Sequence, residues 1–332
     1  MTLPSLAGIE DALAIVRPHL PETPLVRSEL LSQAFAAEVW LKNETVSPIA
    51  SFKLRGALTC MSRAKARGRL KGACTASTGN HGQGVALAAR LLGTTADIFL
   101  PAAANPVKAA MIEAFGARLH KLGQDGEEAK DAAKALARER GLLFVDDGDD
   151  LDVMDGAATV GLEIARRLER IDRVFVPVGA ANLISGVAAA IKAIQPGVRV
   201  IGVQSKQAPA VVESYLAKRP VERACDTIAD GLAERVPPML AHKAMMALVD
   251  DAFLVSDEAL LAGVRTTAEC AHALVEPAGA AALAGAWERR DELAGKRVVL
   301  VLSGANLTMD LLRRAIDSPP LFTLDSLGRS AR

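Results

Sequence analysis

The residue of this chain best placed to do covalent chemistry is Lys53. It stands in Pro48-Ile49-Ala50-Ser51-Phe52-Lys53-Leu54-Arg55-Gly56-Ala57, behind an aromatic residue and at the head of a helix-like run starting at Leu54. Polar Lys42-Asn43-Glu44-Thr45 precedes it, and Pro48 breaks the chain just before. A lysine that forms an imine must be held near a carbonyl and give up its proton easily, and partial burial promotes both. On helix-start propensity alone, the plain reading is an ordinary lysine opening a helix. Two glycine-bearing stretches follow, Ala76-Ser77-Thr78-Gly79-Asn80-His81-Gly82-Gln83-Gly84 and Val176-Pro177-Val178-Gly179-Ala180-Ala181-Asn182-Leu183, and Ser303-Gly304-Ala305-Asn306 lies near the end. A glycine-bearing turn between a strand and a helix points successive N–H groups at phosphate, helped by the helix N-terminus. A plain strand–helix turn uses the same residue types.

In order and spacing, these motifs resemble the fold-type II pyridoxal-phosphate enzymes, and within them the threonine/serine dehydratase and serine racemase branch. The resemblance runs from about Thr23-Pro24-Leu25 to Asn306. Such a cofactor needs an imine-forming amine, a phosphate cradle, a partner for the pyridine nitrogen and a clamp on the ring. The resemblance makes Lys53 the Schiff-base lysine and lays Phe52 against one face of the ring, where it would otherwise be a core aromatic. It makes Gly179, Ala180, Ala181, Asn182 and Leu183 the phosphate cradle, at a position where the family usually has four glycines and a leucine. Alanine keeps its N–H but resists positive φ, which asparagine tolerates better, so the cradle is expected to survive with a changed backbone.

By the same resemblance Asn80 hydrogen-bonds the 3′ oxygen of the cofactor. Ser77, Thr78 and the N–H groups of the loop bind the substrate carboxylate, with Gly79, Asn80 and His81 completing that wall. His81 reads mainly as a loop-packing residue. Ser303 faces the pyridine nitrogen, or else caps a helix. Gly231, in Asp230-Gly231-Leu232-Ala233, approaches the cofactor edge, while Glu276-Pro277-Ala278-Gly279-Ala280 reads as architecture. Gln204 and Ala208 fall where some relatives keep acidic ligands for magnesium or calcium. An amide is a poor ligand for a hard divalent cation, so no activating metal is expected.

The implied reaction is elimination of water and ammonia from a β-hydroxy amino acid such as threonine or serine, with Lys53 removing the Cα proton. Ile49-Ala50 replaces the Thr-Gly often found before Ser-Phe-Lys, which leaves threo-3-hydroxyaspartate or an ectoine-pathway hydroxy amino acid as other substrates. Racemisation is a further reading, because serine racemases carry a second acid/base hydroxyl at the position of Thr78. A degenerate ligand-binding relative is the non-enzymatic one. No regulatory domain follows the motifs, so feedback control is not expected.

Composition agrees with a soluble enzyme. The 332 residues are 50% hydrophobic, enough for a large core. With 39 basic and 39 acidic residues and only 3% aromatics, the chain lacks the excess cation and stacking surfaces that nucleic-acid binding uses. Cys60, Cys74, Cys225 and Cys270 show no CxxC spacing and the five histidines no metal-binding pattern. No run is long and apolar enough to span a bilayer. The expectation is a cytoplasmic homodimer acting on a small amino acid.

Apolar strands alternating with helices must carry these motifs. The pattern predicts a helix over Ser5 to Leu20, then strands at Val39 to Leu41, Ala73 to Ala76, Ala96 to Leu100, Arg118 to Lys121 and Leu142 to Val145, separated by helices. The acidic run Asp146-Asp147-Gly148-Asp149-Asp150 reads as a solvated crossing loop. Next come a helix from Ala158 to Leu168, strands at Arg173 to Val178 and Arg199 to Val203, and an irregular region from Gln204 to Val249. A strand at Ala252 to Val255, helices at Asp257 to Ala271 and Ala278 to Arg290, a strand at Arg297 to Leu302 and an extended flap after Ser318 finish the chain. The order implies an α/β protein of two open parallel-sheet lobes. The smaller, 58–144, is inserted in a larger one made of 1–57 and 145–332. Ligands of such sheets sit beyond the carboxyl ends of the strands, where all of these motifs fall.

Overall fold

The computed structural model describes residues 3–102, 106–122 and 126–327. The chain enters through α1 (Leu6–Val16), β1 (Leu25–Arg27), α2 (Glu29–Phe35), β2 (Glu38–Asn43) and α3 (Lys53–Ala66). Strand–helix units follow: β3 (Ala73–Ala76), α4 (Asn80–Leu91), β4 (Ala96–Leu100), α5 (Pro106–Ala114), β5 (Arg118–Lys121), α6 (Gly126–Arg140) and β6 (Leu143–Phe144). Then come α7 (Leu151–Arg167), β7 (Arg173–Pro177), α8 (Asn182–Ile194), β8 (Arg199–Ser205), α9 (Ala210–Ala217) and α10 (Met239–Leu248). The last elements are β9 (Asp251–Val255), α11 (Asp257–Ala271), α12 (Pro277–Glu288), β10 (Arg297–Leu302), α13 (Met309–Asp317) and α14 (Leu324–Leu327).

Two sheets result. One has the order β1-β2-β10-β7-β8-β9 and is parallel except for the antiparallel edge strand β1. The other, β5-β4-β3-β6, is wholly parallel. The continuous Val-Val-Leu-Val-Leu of β10 is buried on both faces, as a strand with helices above and below requires. Alanine-rich α12 covers one face of the larger sheet, and α7 packs against α8 on the other. Few aromatics are needed, because small residues let backbones approach closely. A Cβ on Gly156 of α7 would run into the carbonyl of Arg55 in α3.

That close contact surrounds a buried ionic cluster. Arg55 is fully buried, and its guanidinium donates to both carboxylate oxygens of Glu44, to Glu163 of α7 and to Thr159. Lys42, also fully buried, donates to Glu163 at 2.6 Å. Burial works against the charge on Glu163, but Arg55 and then Lys42 hold its carboxyl below the usual range. The cluster ties the first turn of α3 to the larger sheet, and Lys53 is the first residue of that turn.

Most elements lie where the sequence places them, and four expectations are corrected. α7 begins at Leu151, seven residues before Ala158, because Asp150 from the acidic run caps it through the N–H groups of Asp152 and Val153. The stretch read as irregular, Gln204 to Val249, completes β8 and holds α9 and α10. α13 follows an N-cap at Thr308, so Ser303 is not a helix cap. After Ser318 the chain does not extend as a flap. Leu321 donates to Thr266, Phe322 lies against Trp287, and α14 follows; residues 328–332 lie outside the described residues.

Candidate active site

Where the strands of the smaller sheet end, the chain turns into a cavity of about 420 Å³. Its walls include residues 77–81 after β3, Pro101 after β4, Asp146 and Asp147 after β6, Ala180 after β7 and Gly231. The cavity therefore opens at the carboxyl ends of parallel strands, as the fold class requires.

Lys53 reaches this cavity from the first turn of α3, its side chain only 15% exposed. Nζ lies 2.6 Å from Oδ1 of Asp147 and 4.8 Å from the centroid of Phe52. The segment before it is stitched to the loop after β10. Phe52 N–H donates to the carbonyl of Ser303, Ala305 N–H donates to the carbonyl of Ala50, and Ser51 bridges to Gly304. Ser47 Oγ accepts from Ser51 N–H at 2.9 Å and donates to the Ser51 carbonyl at 2.7 Å, closing the turn. The ring of Phe52 is buried in the core of the larger sheet and does not line the cavity. Ser303 is likewise buried beside it.

The loop from Ser77 to Asn80 carries half-buried residues onto the N-terminus of α4, with Ser77 Oγ accepting from Gly79 N–H. Asn80 donates through Nδ2 to Glu276 at 2.6 Å and accepts from Asn306 at 2.6 Å. Asn306 also donates to the carbonyl of Ile49, so one amide chain links the lysine loop, the asparagine loop and α12. Burial pushes the Glu276 carboxyl up to about 7, while the hydrogen bond from Asn80 and the charge of Lys108 pull the other way. His81 is buried, its Nε2 3.0 Å from the carbonyl of Val145 and its Nδ1 3.4 Å from Asp147.

The turn Gly179 to Leu183 opens the 13-residue helix α8. A Cβ on Gly179 would strike the carbonyl of Gly231, so only glycine fits there. The left-handed residue of the turn is Ala181, at φ 61°, not the more tolerant asparagine, which is the first residue of the helix. Asn182 is buried, yet neither Oδ1 nor Nδ2 has a hydrogen-bond partner among the described residues. The unpaired Nδ2 of Asn182, a buried donor at a helix N-terminus, is what an anionic group would satisfy, so this turn fits a phosphate. Gln204 spends its amide inside the protein, donating to the Leu232 carbonyl and accepting from Val212 N–H.

Sequence reasoning missed Asp147, Lys108 and Glu276 as cavity residues, although Glu276 stood in a motif it had set aside as architecture. Lys108 pairs with Asp230 across the cavity mouth. No helix among the described residues is long and apolar enough to cross a membrane.

Two parallel-sheet lobes, a half-buried lysine at the strand tips and a phosphate-type helix start define an α/β enzyme that works through an imine-forming cofactor. The chain belongs to the family of pyridoxal-phosphate dependent enzymes, whose model matches residues 16–304, and pyridoxal phosphate is its cofactor. It is 36% identical over 94% of its length to the catabolic L-threonine dehydratase TdcB of Staphylococcus aureus, covering 92% of that protein. It is 38% identical over 88% of its length to the chloroplastic biosynthetic threonine dehydratase 1 of Solanum lycopersicum, and spans about half (49%) of that longer relative. The structure of maize serine racemase superposes with a TM-score of 0.89 at 28% identity, all of both chains being covered.

Proposed function

We propose that this chain is an ammonia-lyase that removes water and ammonia from a β-hydroxy amino acid such as L-threonine or L-serine and releases a 2-oxo acid. The observation that carries this reading is the amine of Lys53, held by α3 inside a cavity that the N-terminus of α4 also lines. The two threonine dehydratases reported above support the choice of substrate class.

Pyridoxal phosphate, when bound, supplies the electron sink that makes a Cα proton removable and a β-hydroxyl expellable. The roles of the protein's residues follow from where they stand. Lys53 would hold the cofactor through Nζ, and the same amine would take the Cα proton. The N–H groups at the start of α4, with Ser77, Thr78 and Gly79, receive the substrate carboxylate, and His81 packs that loop from below. Asn80, braced by Glu276 and Asn306, would hold the cofactor's 3′ oxygen. Gly179, Ala180, Ala181, Asn182 and Leu183 would hold the phosphate, Ser303 would meet the pyridine nitrogen and Gly231 would line the cofactor's edge, while Phe52, buried in the core beside Lys53, would support that wall from behind. The β-hydroxyl would leave as water, taking up one proton to balance the one that Lys53 removes from Cα, and the released enamine, once tautomerised to the imine, would add water to give the oxo acid and ammonia.

We read the chain as an insertion of 58–144 into a larger body of 1–57 and 145–332, in keeping with a second sheet confined to β3 through β6. We read the chain as a homodimer in the cytoplasm, a reducing compartment that accords with four free thiols. The hydroxyl of Thr78 on the cavity wall supports racemisation as a second reading, which chiral analysis of unreacted substrate separates from elimination. The deciding experiment is a screen of β-hydroxy amino acids for release of oxo acid and ammonia. Silence across the panel from cofactor-loaded protein would overturn the lyase reading.

A further inference from the structure

Glu276 stands at the head of α12 and borders the cavity, although it is only 6% exposed. Its place is fixed from two sides. Its N–H donates to the Gly304 carbonyl at 3.0 Å, and Oε1 accepts from Asn80 Nδ2 at 2.6 Å. A Cβ on Gly304 would lie 2.3 Å from Oε1, so glycine there leaves the room that the carboxyl occupies. Oε2 makes no hydrogen bond among the described residues and is not closed off by them, so it is the oxygen that faces the cavity.

Asp147, Asp230 and Asp146 on the same walls each face a cation, Lys53, Lys108 and Lys130 in turn. Glu276 faces an amide instead, with no cation at ion-pair distance among the described residues. Lys108 and Lys53 act on it from farther off, Asp230 opposes them, and His81 and Glu234 line the same cavity. A buried carboxyl without a cation beside it holds on to its proton, and burial lifts this one to about 7. A neutral acid with one oxygen open to a reaction cavity is placed to donate a proton there. The elimination read above calls for a donor, because Lys53 removes a proton from Cα while the β-hydroxyl has to gain one.

On the reading that this chain eliminates water, on which this inference rests, we propose that Glu276 is the catalytic acid that protonates the departing β-hydroxyl. Lys53 Nζ takes the Cα proton, and the electron pair of that bond ends in the Cα–Cβ double bond. The Cβ–O bond breaks with its pair on oxygen, which takes the hydrogen from Oε2 and leaves as water. Glu276, now a carboxylate, recovers a proton from the Lys53 ammonium, and both groups are reset.

The test compares L-serine with L-3-chloroalanine in the cofactor-loaded enzyme. Both give the same oxo acid, but chloride leaves without a proton. Glu276→Gln keeps an acceptor for Asn80 and removes the acid. In it, oxo-acid release from serine should fall about a hundredfold or more, while release from chloroalanine stays near the parent rate. Glu276→Asp, which keeps the acid, should recover part of that loss. In the parent enzyme, the ratio of the serine rate to the chloroalanine rate should fall as the pH rises through about 7, where Glu276 gives up its proton. In cofactor-free protein, the infrared carboxylic-acid band that Glu276→Gln removes should fade over the same range. An equal loss on both substrates would mean that Glu276 only braces Asn80, and it overturns the proposal. So does a serine-to-chloroalanine ratio that does not change with pH, which is read on the parent and decides the matter even if the variants do not fold. An infrared spectrum with no such band overturns it as well. Chloride elimination without turnover of any β-hydroxy acid would instead sink the lyase reading itself, and this role of Glu276 with it.

Discussion

Asn80 and Glu276 lie 196 residues apart in the chain, and the amide of one donates to the carboxyl of the other at 2.6 Å. Burial lifts the Glu276 carboxyl from 4.5 to about 7; the Asn80 hydrogen bond and Lys108 oppose the rise, Asp230 adds to it, and Lys53 opposes it. A folded-state pKa raised above the unfolded value means that the folded protein keeps a proton the unfolded chain has released. The contribution of Glu276 to stability is therefore full below pH 4.5 and is lost as the pH rises through about 7. The expected loss is on the order of a few kcal/mol. Glu276→Gln should flatten the fall in melting temperature between mildly acidic and mildly alkaline buffer. An unchanged slope would place its origin elsewhere.

Lys53→Ala removes the only amine that α3 directs into the cavity. The variant should keep its far-UV circular dichroism, since Lys53 is not part of the buried Arg55 cluster. It should lose the visible absorbance of lysine-linked cofactor and release no oxo acid. Full activity in this variant would end the proposed chemistry.

The alternation of apolar strands and helices was legible because its signal is local, and so were the motif loops at the strand tips. Asp147 was not legible. In a run of four aspartates each side chain reads as solvated, yet every one is used: Asp146 accepts from Gly148 and Asp149 N–H, Asp149 from Leu240 N–H, and Asp150 caps α7. The partner of Asp147 is Lys53, 94 residues away, and no periodicity carries that information. Glu276 was hidden for the same reason. Its motif looked like the start of a helix, which it is, with Pro277 at the first position, while its side chain points across the cleft to Asn80.

Two alanines take the left-handed conformation at the site, Ala50 at φ 51° and Ala181 at φ 61°. Each pays about 1–2 kcal/mol for its Cβ there. Glycine would relieve that cost but lose about 0.5–1 kcal/mol to unfolded-chain entropy. Ala181 is also buried at 2% exposure, so its methyl carries about 0.8 kcal/mol of burial that glycine forfeits. Ala50 is only partly buried. Ala50→Gly should thus stabilise by up to about 1 kcal/mol, whereas Ala181→Gly should be near neutral. Urea unfolding midpoints of the two variants check the difference; a larger gain at Ala181 would contradict this account of its packing.

Arg55 decides whether the lysine stays where it is. Its guanidinium, fully buried, makes charge-assisted bonds to Glu44 and Glu163; Lys42 is buried with them, and the more exposed Arg17 reaches Glu163 at 3.0 Å. Removing Arg55 takes the cation from the buried Glu44 carboxylate, while Glu163 keeps Lys42 and Arg17, and such a loss typically costs about 3–5 kcal/mol. Arg55→Ala should lower the urea midpoint accordingly or fail to fold. Arg55→Lys keeps the charge but offers one nitrogen where the guanidinium uses three, so it cannot reach Glu44, Thr159 and Glu163 together. It should fold with an intermediate loss. Because the same turn of α3 carries Lys53, it should also bind pyridoxal phosphate more weakly than the parent. A lysine variant as stable as the parent and equally avid for the cofactor would show that the close contact of Gly156 with the Arg55 backbone, without the ionic cluster, suffices to set the first turn of α3.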